Sequence, residues 1–223
     1  GQGTVPCLAP LPPGWTGNVP CLTCLRKRVC TVIKTNIKGV DLVFETSKSL
    51  FSPRAIDLGT LSMLSVVEFG ENEKVLDLGC GYGVVGILAA KIVGEENVVM
   101  LDIDEEAVKL AQKNALLNGV PGVKTIQSDG FTNLDEKDFT LILCNPPYHT
   151  DFSVAKTFIE KGFNRLCIGG RMYMVTKRKE WYKNKLIAIF GGVQIWEING
   201  YYVFMSIKKS RTYAKVEKEK RKK

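Results

Sequence analysis

No apolar stretch of this 223-residue sequence approaches the roughly 20 residues that a membrane-spanning helix requires. The N-terminus also lacks the charged-then-apolar pattern of a secretory signal. The expectation is a soluble, cytoplasmic protein with no membrane partner. No internal repeat is visible, which argues against a solenoid or a propeller. Positive charge is scarce where a net charge of +8 would suggest it. Residues 30–207 carry 19 Lys/Arg against 21 Asp/Glu, a net of −2. The surplus lies in residues 1–29, with three basic residues and no acid, and in residues 208–223, with nine basic residues and two Glu. The C-terminal run Lys215 to Lys223 reads either as a solubilising tail or as a weak, salt-sensitive attractor of nucleic acid.

What is present fits one sizeable domain. Hydrophobic residues make up 45% of the chain and charged residues 24%, ordinary values for a globular core of this length. Four of the seven cysteines fall in the first thirty residues: Cys7, Cys21, Cys24 and Cys30. Cys21-x-x-Cys24 has metal-ligand spacing, and with Cys7 and Cys30 it offers a four-thiolate zinc site. No paired spacing recurs, and Pro6, Pro10, Pro12, Pro13 and Pro20 favour a disordered leader with incidental thiols, so no metal is expected. Cys80, Cys144 and Cys167 read as buried apolar fillers.

The chain divides into a Pro/Cys-rich disordered leader (1–28), a folded domain (29–207) and a basic disordered tail (208–223). Alternating residues 29–37 and 40–44 form a hairpin turning at Lys38-Gly39, and residues 54–68 carry apolar positions at helical spacing. Strands are expected at 74–78, 98–102, 123–127, 140–144 and 171–176. Helices are expected at 84–93, 105–117, 152–166 and 180–190. Two final strands, 193–198 and 201–207, meet at the tight turn Asn199-Gly200. This alternation predicts an α/β fold: a doubly wound, Rossmann-like sheet of seven strands whose last strand is antiparallel, preceded by a small hairpin and a helix.

Asp77-Leu78-Gly79-Cys80-Gly81-Tyr82-Gly83 joins the first strand of the sheet to its helix. Glycines let the backbone turn sharply and approach a ligand closely. Asp102 ends the next strand, where a carboxylate can accept both hydroxyls of a ribose. Gly81-x-Gly83-x-x-Gly86 alone also matches a dinucleotide fingerprint, and Asp102 would serve NAD equally well. The carboxylate two residues before Gly79 separates the two readings. Asp77-x-Gly79-x-Gly81-x-Gly83 resembles motif I of the class I S-adenosylmethionine-dependent methyltransferases. The antiparallel final hairpin and the lack of a second domain for a dehydrogenase substrate agree with that. The resemblance implies that S-adenosylmethionine is the cofactor and that the glycine loop cradles its aminocarboxypropyl end. It implies that Asp129, in Ser128-Asp129, takes the adenine amine, unless it only caps its turn. Ile103 packs on the adenine face or in the core, and Asp104 caps the following helix.

Asn145-Pro146-Pro147-Tyr148 follows the apolar run 139–144, at the carboxyl end of a buried strand where open α/β sheets place their sites. The tetrapeptide is similar to motif IV of methyltransferases that act on planar nitrogens: adenine N6, guanine N2, cytosine N4 or a glutamine amide. Such an NH₂ group shares its lone pair with the ring or carbonyl and is a poor nucleophile. The Asn145 side-chain oxygen and the Pro146 carbonyl can accept its two hydrogens, aim the lone pair at a methyl donor and stabilise developing positive charge. Asn is no general base, so positioning supplies most of the catalysis. Tyr148 would stack on the target base. His149, the one histidine, contacts substrate, takes the released proton or is an exposed loop residue. Lys177 and Arg178, with Lys179, meet a substrate phosphate or form a solvated helix start.

The segment Leu50 to Thr60 resembles the Phe-Ser…Asp-x-Gly-[Ser/Thr] stretch of the ribosomal RNA guanine-N2 methyltransferases and their relatives in the methyltransferase small domain family. Asn118-Gly119-Val120 and Gly200-Tyr201-Tyr202 fit the same group. The resemblance covers about residues 30–207. It implies that Phe51 and Gly59 lie over the cofactor. Two-domain members dock RNA with an N-terminal domain. With a short leader in its place, RNA selection is expected to use the tails, a partner protein or a smaller RNA. The function expected is methylation of an exocyclic nucleobase amine, guanine N2 of ribosomal RNA above all. Adenine N6, a protein glutamine, a non-catalytic RNA-binding assembly factor and a nicotinamide oxidoreductase are the alternatives. The sequence leaves the oligomeric state open.

Overall fold

A computed structural model of the protein describes residues 31–47, 55–147 and 152–214. The hairpin comes first, β1 (Thr31–Ile37) and β2 (Val40–Thr46). Lys38 and Gly39 turn it at φ 53° and 79°, the paired positive values that match strand twist. Helix α1 (Leu58–Val66) follows. The chain then alternates β3 (Val75–Leu78), α2 (Val84–Val93), β4 (Val98–Asp102), α3 (Glu105–Leu117) and β5 (Lys124–Gln127). It continues through β6 (Phe139–Cys144), α4 (Phe152–Arg165), β7 (Leu166–Thr176), α5 (Lys179–Phe190), β8 (Gln194–Ile198) and β9 (Tyr201–Ile207).

The seven strands β3–β9 form one sheet in the order β5-β4-β3-β6-β7-β9-β8. The strands β3 to β7 pair in parallel, and β9 runs antiparallel between β7 and β8. The α/β doubly wound reading therefore holds, reversed last strand included. The chain winds from β3 out to β5, then returns to the other side of β3. The reversal opens a crevice at the carboxyl ends of β3 and β6, where Gly79 and Asn145 sit.

Side chains of β3 alternate between two layers, as a pleat requires. Val75 joins Met63, Leu64, Ile87, Leu88 and Ala111 on the face covered by α1, α2 and α3. Leu76 and Leu78 join Phe158, Ile159, Phe163, Leu186 and Phe190 on the face covered by α4 and α5. From Val84 to Ala90 α2 is buried at every position. It is enclosed by β3 and β4 on one side and β2 on the other, so its apolar surface wraps all round.

Two asparagines one turn apart, Asn114 of α3 and Asn118 at its C-cap, fasten the hairpin. Asn114 accepts from Glu45 N (2.8 Å) and donates to Glu45 O (3.0 Å) and Tyr82 O (2.9 Å). Asn118 accepts from Val43 N (3.0 Å) and donates to Val43 O (2.7 Å). The amides stand in for a third strand along the edge of β2, satisfying backbone groups that would otherwise be left unpaired.

Three boundaries differ from expectation. The helix expected over 54–68 starts at Leu58, because Asp57 caps it by accepting from Thr60 N. The strand expected from Arg171 begins at Leu166. Gly169 and Gly170 form a bulge inside it, Gly169 at φ 85°, and register shifts between Phe139 and Leu141. The tail expected from residue 208 is packed as far as Ala214. Lys208 N donates to Gly170 O and its Nζ to Leu166 O, Tyr213 packs edge-on to Phe163, and Ala214 N donates to Ile189 O. The 1–28 leader, with Cys7, Cys21 and Cys24, lies outside the described residues, as does Cys30. Among the described residues no helix is long and apolar enough to cross a membrane.

Candidate active site

The turn after β3 is strapped to its neighbour. Gly79 N and Cys80 N both donate to Leu101 O at 2.8 Å, and Gly81 N donates to Asp102 Oδ2 at 2.8 Å. Gly79, Gly81 and Gly83 have φ of 77°, 55° and 96°, where side chains are strained. A Cβ at Gly79 or Gly81 would meet nothing within 4 Å, so these two face open space. Gly83 differs. A Cβ there would lie 2.9 Å from Ile87 Cδ1, which makes it a packing glycine at the start of α2. A cavity of about 480 Å³ opens beside the turn, within the range of small-molecule sites.

Of the residues singled out for the cofactor, Asp77, Gly79, Gly81, Asp102, Ile103 and Asp129 line this cavity. Asp77 is buried on β3 and accepts from Gly86 N at 2.8 Å. Burial pushes its carboxyl up to about 7, the Gly86 hydrogen bond opposing and the Asp102 charge adding to the rise. Asp102 Oδ1 accepts from Asp104 N at 3.0 Å, so its two oxygens brace the turns after β3 and β4 together. Ile103 is 64% exposed, an apolar side chain left uncovered at the rim. Asp104 caps α3. Gly59 and Gly83 do not line the cavity. A Cβ at Gly59 would lie 2.8 Å from the Tyr201 ring, so Gly59 lets α1 approach β9. Phe51, Tyr148 and His149 lie outside the described residues. Lys177 and Arg178 stand outside the cavity lining, with Lys177 Nζ 4.9 Å from the Tyr201 ring centroid and the Arg178 guanidinium 4.9 Å from that of Phe152.

The catalytic candidates Asn145, Pro146 and Pro147 line the same cavity. Asn145 Nδ2 donates to Asp57 Oδ2 at 2.9 Å and to Thr60 Oγ1 at 3.0 Å. Its Oδ1 is buried and has no hydrogen-bond partner among the described residues. An acceptor in that state costs free energy unless a donor reaches it, and it is shielded from water. Asp57 and Thr60 belong to the Asp-x-Gly-[Ser/Thr] stretch noted in the sequence, but the resemblance assigns only Phe51 and Gly59 of that segment to the site. Asp57-x-x-Thr60 is a legible helix start, but its bonds to Asn145 span 88 and 85 residues and leave no local sign. Val154 and Phe158 of α4 complete the wall. Cys80 and Cys144 are buried, and burial holds both thiols well above the usual range, so neither is a thiolate nucleophile. Among the described residues no cluster of three His, Cys, Asp or Glu side chains is placed to hold a metal.

A glycine turn with room where side chains would be, a ribose-competent carboxylate one strand over and an amide acceptor at the next strand end fit a nucleoside carrying a charged tail, set against a planar amine. A doubly wound sheet with a reversed last strand around such a site defines the S-adenosylmethionine-dependent methyltransferase class. The sequence model of the methyltransferase small domain matches residues 41–205, and the chain belongs to that family. The chain is 32% identical over 178 residues to the Bacillus subtilis (strain 168) protein YbxB, described as uncharacterized, covering 77% of this chain and 89% of YbxB. It is 29% identical over 164 residues to ribosomal RNA small subunit methyltransferase C of Serratia proteamaculans (strain 568), 72% of this chain and 47% of that protein. Among solved structures, the T. thermophilus 16S rRNA N2 methyltransferase RsmC, in complex with AdoMet and guanosine, superposes with a TM-score of 0.73 at 27% identity. The match covers 81% of this chain and 51% of that one. The chain thus spans about half the length of these two ribosomal RNA enzymes. The enzyme is an S-adenosylmethionine-dependent methyltransferase, and the oxidoreductase and non-catalytic readings fall away.

Proposed function

We propose that this enzyme methylates an exocyclic nucleobase amine in RNA, specifically guanine N2 of ribosomal RNA, in the cytoplasm. The unpartnered Asn145 Oδ1 beside the cofactor cavity carries the reading. S-adenosylmethionine, when bound, supplies an electrophilic methyl on a sulfonium. The chain's residues do the rest. Gly79 and Gly81 admit the aminocarboxypropyl end, Asp102 accepts from the ribose hydroxyls, Ile103 covers the adenine and Asp129 takes its amine. Asn145 Oδ1 and the Pro146 carbonyl accept the two hydrogens of the target amine. That turns the nitrogen lone pair out of conjugation and stabilises the positive charge that develops on it. Tyr148 and His149, outside the described residues, are assigned by sequence alone: Tyr148 to stacking on the base and His149 to receiving the proton released after transfer.

Guanine N2 is favoured over adenine N6 and glutamine by the likeness to RsmC, which is an N2 enzyme solved with guanosine. The RNA strand runs over the ledge formed by Lys177 on Tyr201 and Arg178 on Phe152, the latter stacked on Trp181 at 4.4 Å. The test is Asn145→Ala. Methyl transfer falls about 10²–10³-fold, the range for losing one preorganised group aimed at developing charge. Affinity for S-adenosylmethionine is unchanged. Retained turnover would remove Asn145 from the chemistry.

A further inference from the structure

An amide side chain has two poles of nearly equal shape and opposite polarity. If Asn145 serves by its oxygen, something must keep its NH₂ end away from the substrate. Both N–H bonds of that end are already committed, one to Asp57 Oδ2 and one to Thr60 Oγ1. The carboxylate of Asp57 has acceptors and no donor, so it can be met only by the NH₂ pole. The Thr60 hydroxyl has Asp57 Oδ2 at 3.5 Å as its own acceptor, which leaves its lone pairs to Asn145. Reversing the amide would set its oxygen against a carboxylate and against a hydroxyl already pointed elsewhere.

We propose that Asp57 and Thr60 form a polar clamp that orients the Asn145 amide, oxygen toward the target amine, and that Asp57 adds its charge to the acceptor strength of that oxygen. This rests on the reading of Asn145 given above. The clamp is built on a rigid support, since Asp57 Oδ2 also accepts from Thr60 N at 2.9 Å and caps α1. Gly59, between the two, allows that helix end to close on Tyr201. Capping alone explains the Asp57–Thr60 bond. It does not explain why the same oxygen and the Thr60 hydroxyl both reach across to Asn145, or why the opposite pole of Asn145 is left without a partner among the described residues. A carboxylate bonded to the NH₂ pole polarises the amide and makes Oδ1 the better acceptor as the target nitrogen becomes positive. Asp57 and Thr60 are positioning residues, acting through Asn145.

Three variants test the clamp. Thr60→Val keeps the shape and removes one acceptor, and Thr60→Ser keeps the hydroxyl. Asp57→Asn keeps a helix cap of equal quality but presents a donor, which admits the reversed amide. The assay is methyl transfer from labelled S-adenosylmethionine to ribosomal RNA purified from cells lacking the protein. Loss of one hydrogen bond of this kind lowers kcat about tenfold in Thr60→Val, and more in Asp57→Asn. KM for RNA and cofactor affinity stay at the wild-type values, and Thr60→Ser recovers most of the rate. A second readout needs no substrate: the Asn145 side-chain NH₂ protons exchange slowly with solvent in the wild type and faster in Thr60→Val. Wild-type kcat in both Thr60→Val and Asp57→Asn, or unchanged NH₂ exchange, overturns the clamp. So does a rate loss that tracks lost thermal stability and returns in neither measurement with Thr60→Ser. If Asn145→Ala is inactive and Thr60→Val is not impaired, the clamp alone fails; if Asn145→Ala turns over normally, the reading of the site fails.

Discussion

Asp77, one residue before the end of β3, and Asp102, the last residue of β4, lie on neighbouring strands, yet their surroundings differ. Asp77 is enclosed beneath α2 and answered by one backbone N–H, whereas Asp102 is half-buried and braced by two. The Asp77 carboxyl holds its proton up to about 7, against 3.8 in the unfolded chain. Between those values the native state binds more protons than the unfolded one. The stabilising contribution is therefore whole below about pH 3.8 and is lost as pH rises through about 7. Urea unfolding of wild type and Asp77→Asn from pH 4 to pH 8 should show a wild-type advantage that shrinks toward about pH 7. Identical pH profiles would mean that Asp77 is ionised throughout. For Asp102→Ala, calorimetry should find weaker S-adenosylmethionine binding, because the Gly81 turn loses its brace and the ribose its acceptor; wild-type affinity would end the ribose assignment. Asp77, Asp102 and Asn145 could be singled out in the sequence because each lies within a residue of a strand end marked by an apolar run. Asp57 and Thr60 stood in a recognised stretch, but their bonds to Asn145 were not legible, since that partner lies 88 and 85 residues away and helix capping already accounts for them locally.

At the scale of elements, glycine spacing carried more than one meaning. Gly81-x-Gly83-x-x-Gly86 reads as a phosphate loop, but only Gly81 of the three lines the cavity. A Cβ on Gly86 would lie 2.4 Å from Met100 Cγ, so this glycine brings α2 down onto β4. Gly86→Ala should cost about 1–3 kcal/mol in denaturant unfolding through overpacking; an unchanged midpoint would mean that Met100 yields freely. The strands and helices were predicted close to their observed limits because their periodicity is strong. The strand expected over 171–176 begins at Leu166, because a bulge at Gly169-Gly170 inside a strand leaves no sign until the partner strand is known. The hairpin was visible in sequence, its mooring was not. Asn114, fully buried, holds Glu45 and Tyr82 by three hydrogen bonds. Asn114→Ala should lower stability by about 2–4 kcal/mol, since buried backbone groups lose their partner. A loss well under that would show that packing alone moors the hairpin.

Across the whole molecule, winding direction and charge divide the work. The reversal of strand order beside β3 brings Asp57, Gly79, Asp102 and Asn145 to one cavity, although they are scattered over the sequence. The basic surplus lies elsewhere, and the packed chain up to Ala214 moves the place where it can be removed cleanly. Residues 215–223 carry six Lys/Arg and two Glu. Deleting them should leave cofactor affinity intact and flatten the salt dependence of RNA binding. An unchanged salt slope would make that run a solubilising segment only.

If Asn145 positions an exocyclic guanine amine for methyl transfer, the product nucleoside carries its new methyl on N2. The most direct measurement treats ribosomal RNA from cells lacking this protein with the purified enzyme and isotopically labelled S-adenosylmethionine, then resolves the nucleosides by mass spectrometry. Label is expected in N2-methylguanosine with wild type and about 10²–10³-fold less with Asn145→Ala. Label on a ribose oxygen or a ring carbon, or equal label with both proteins, would contradict that expectation.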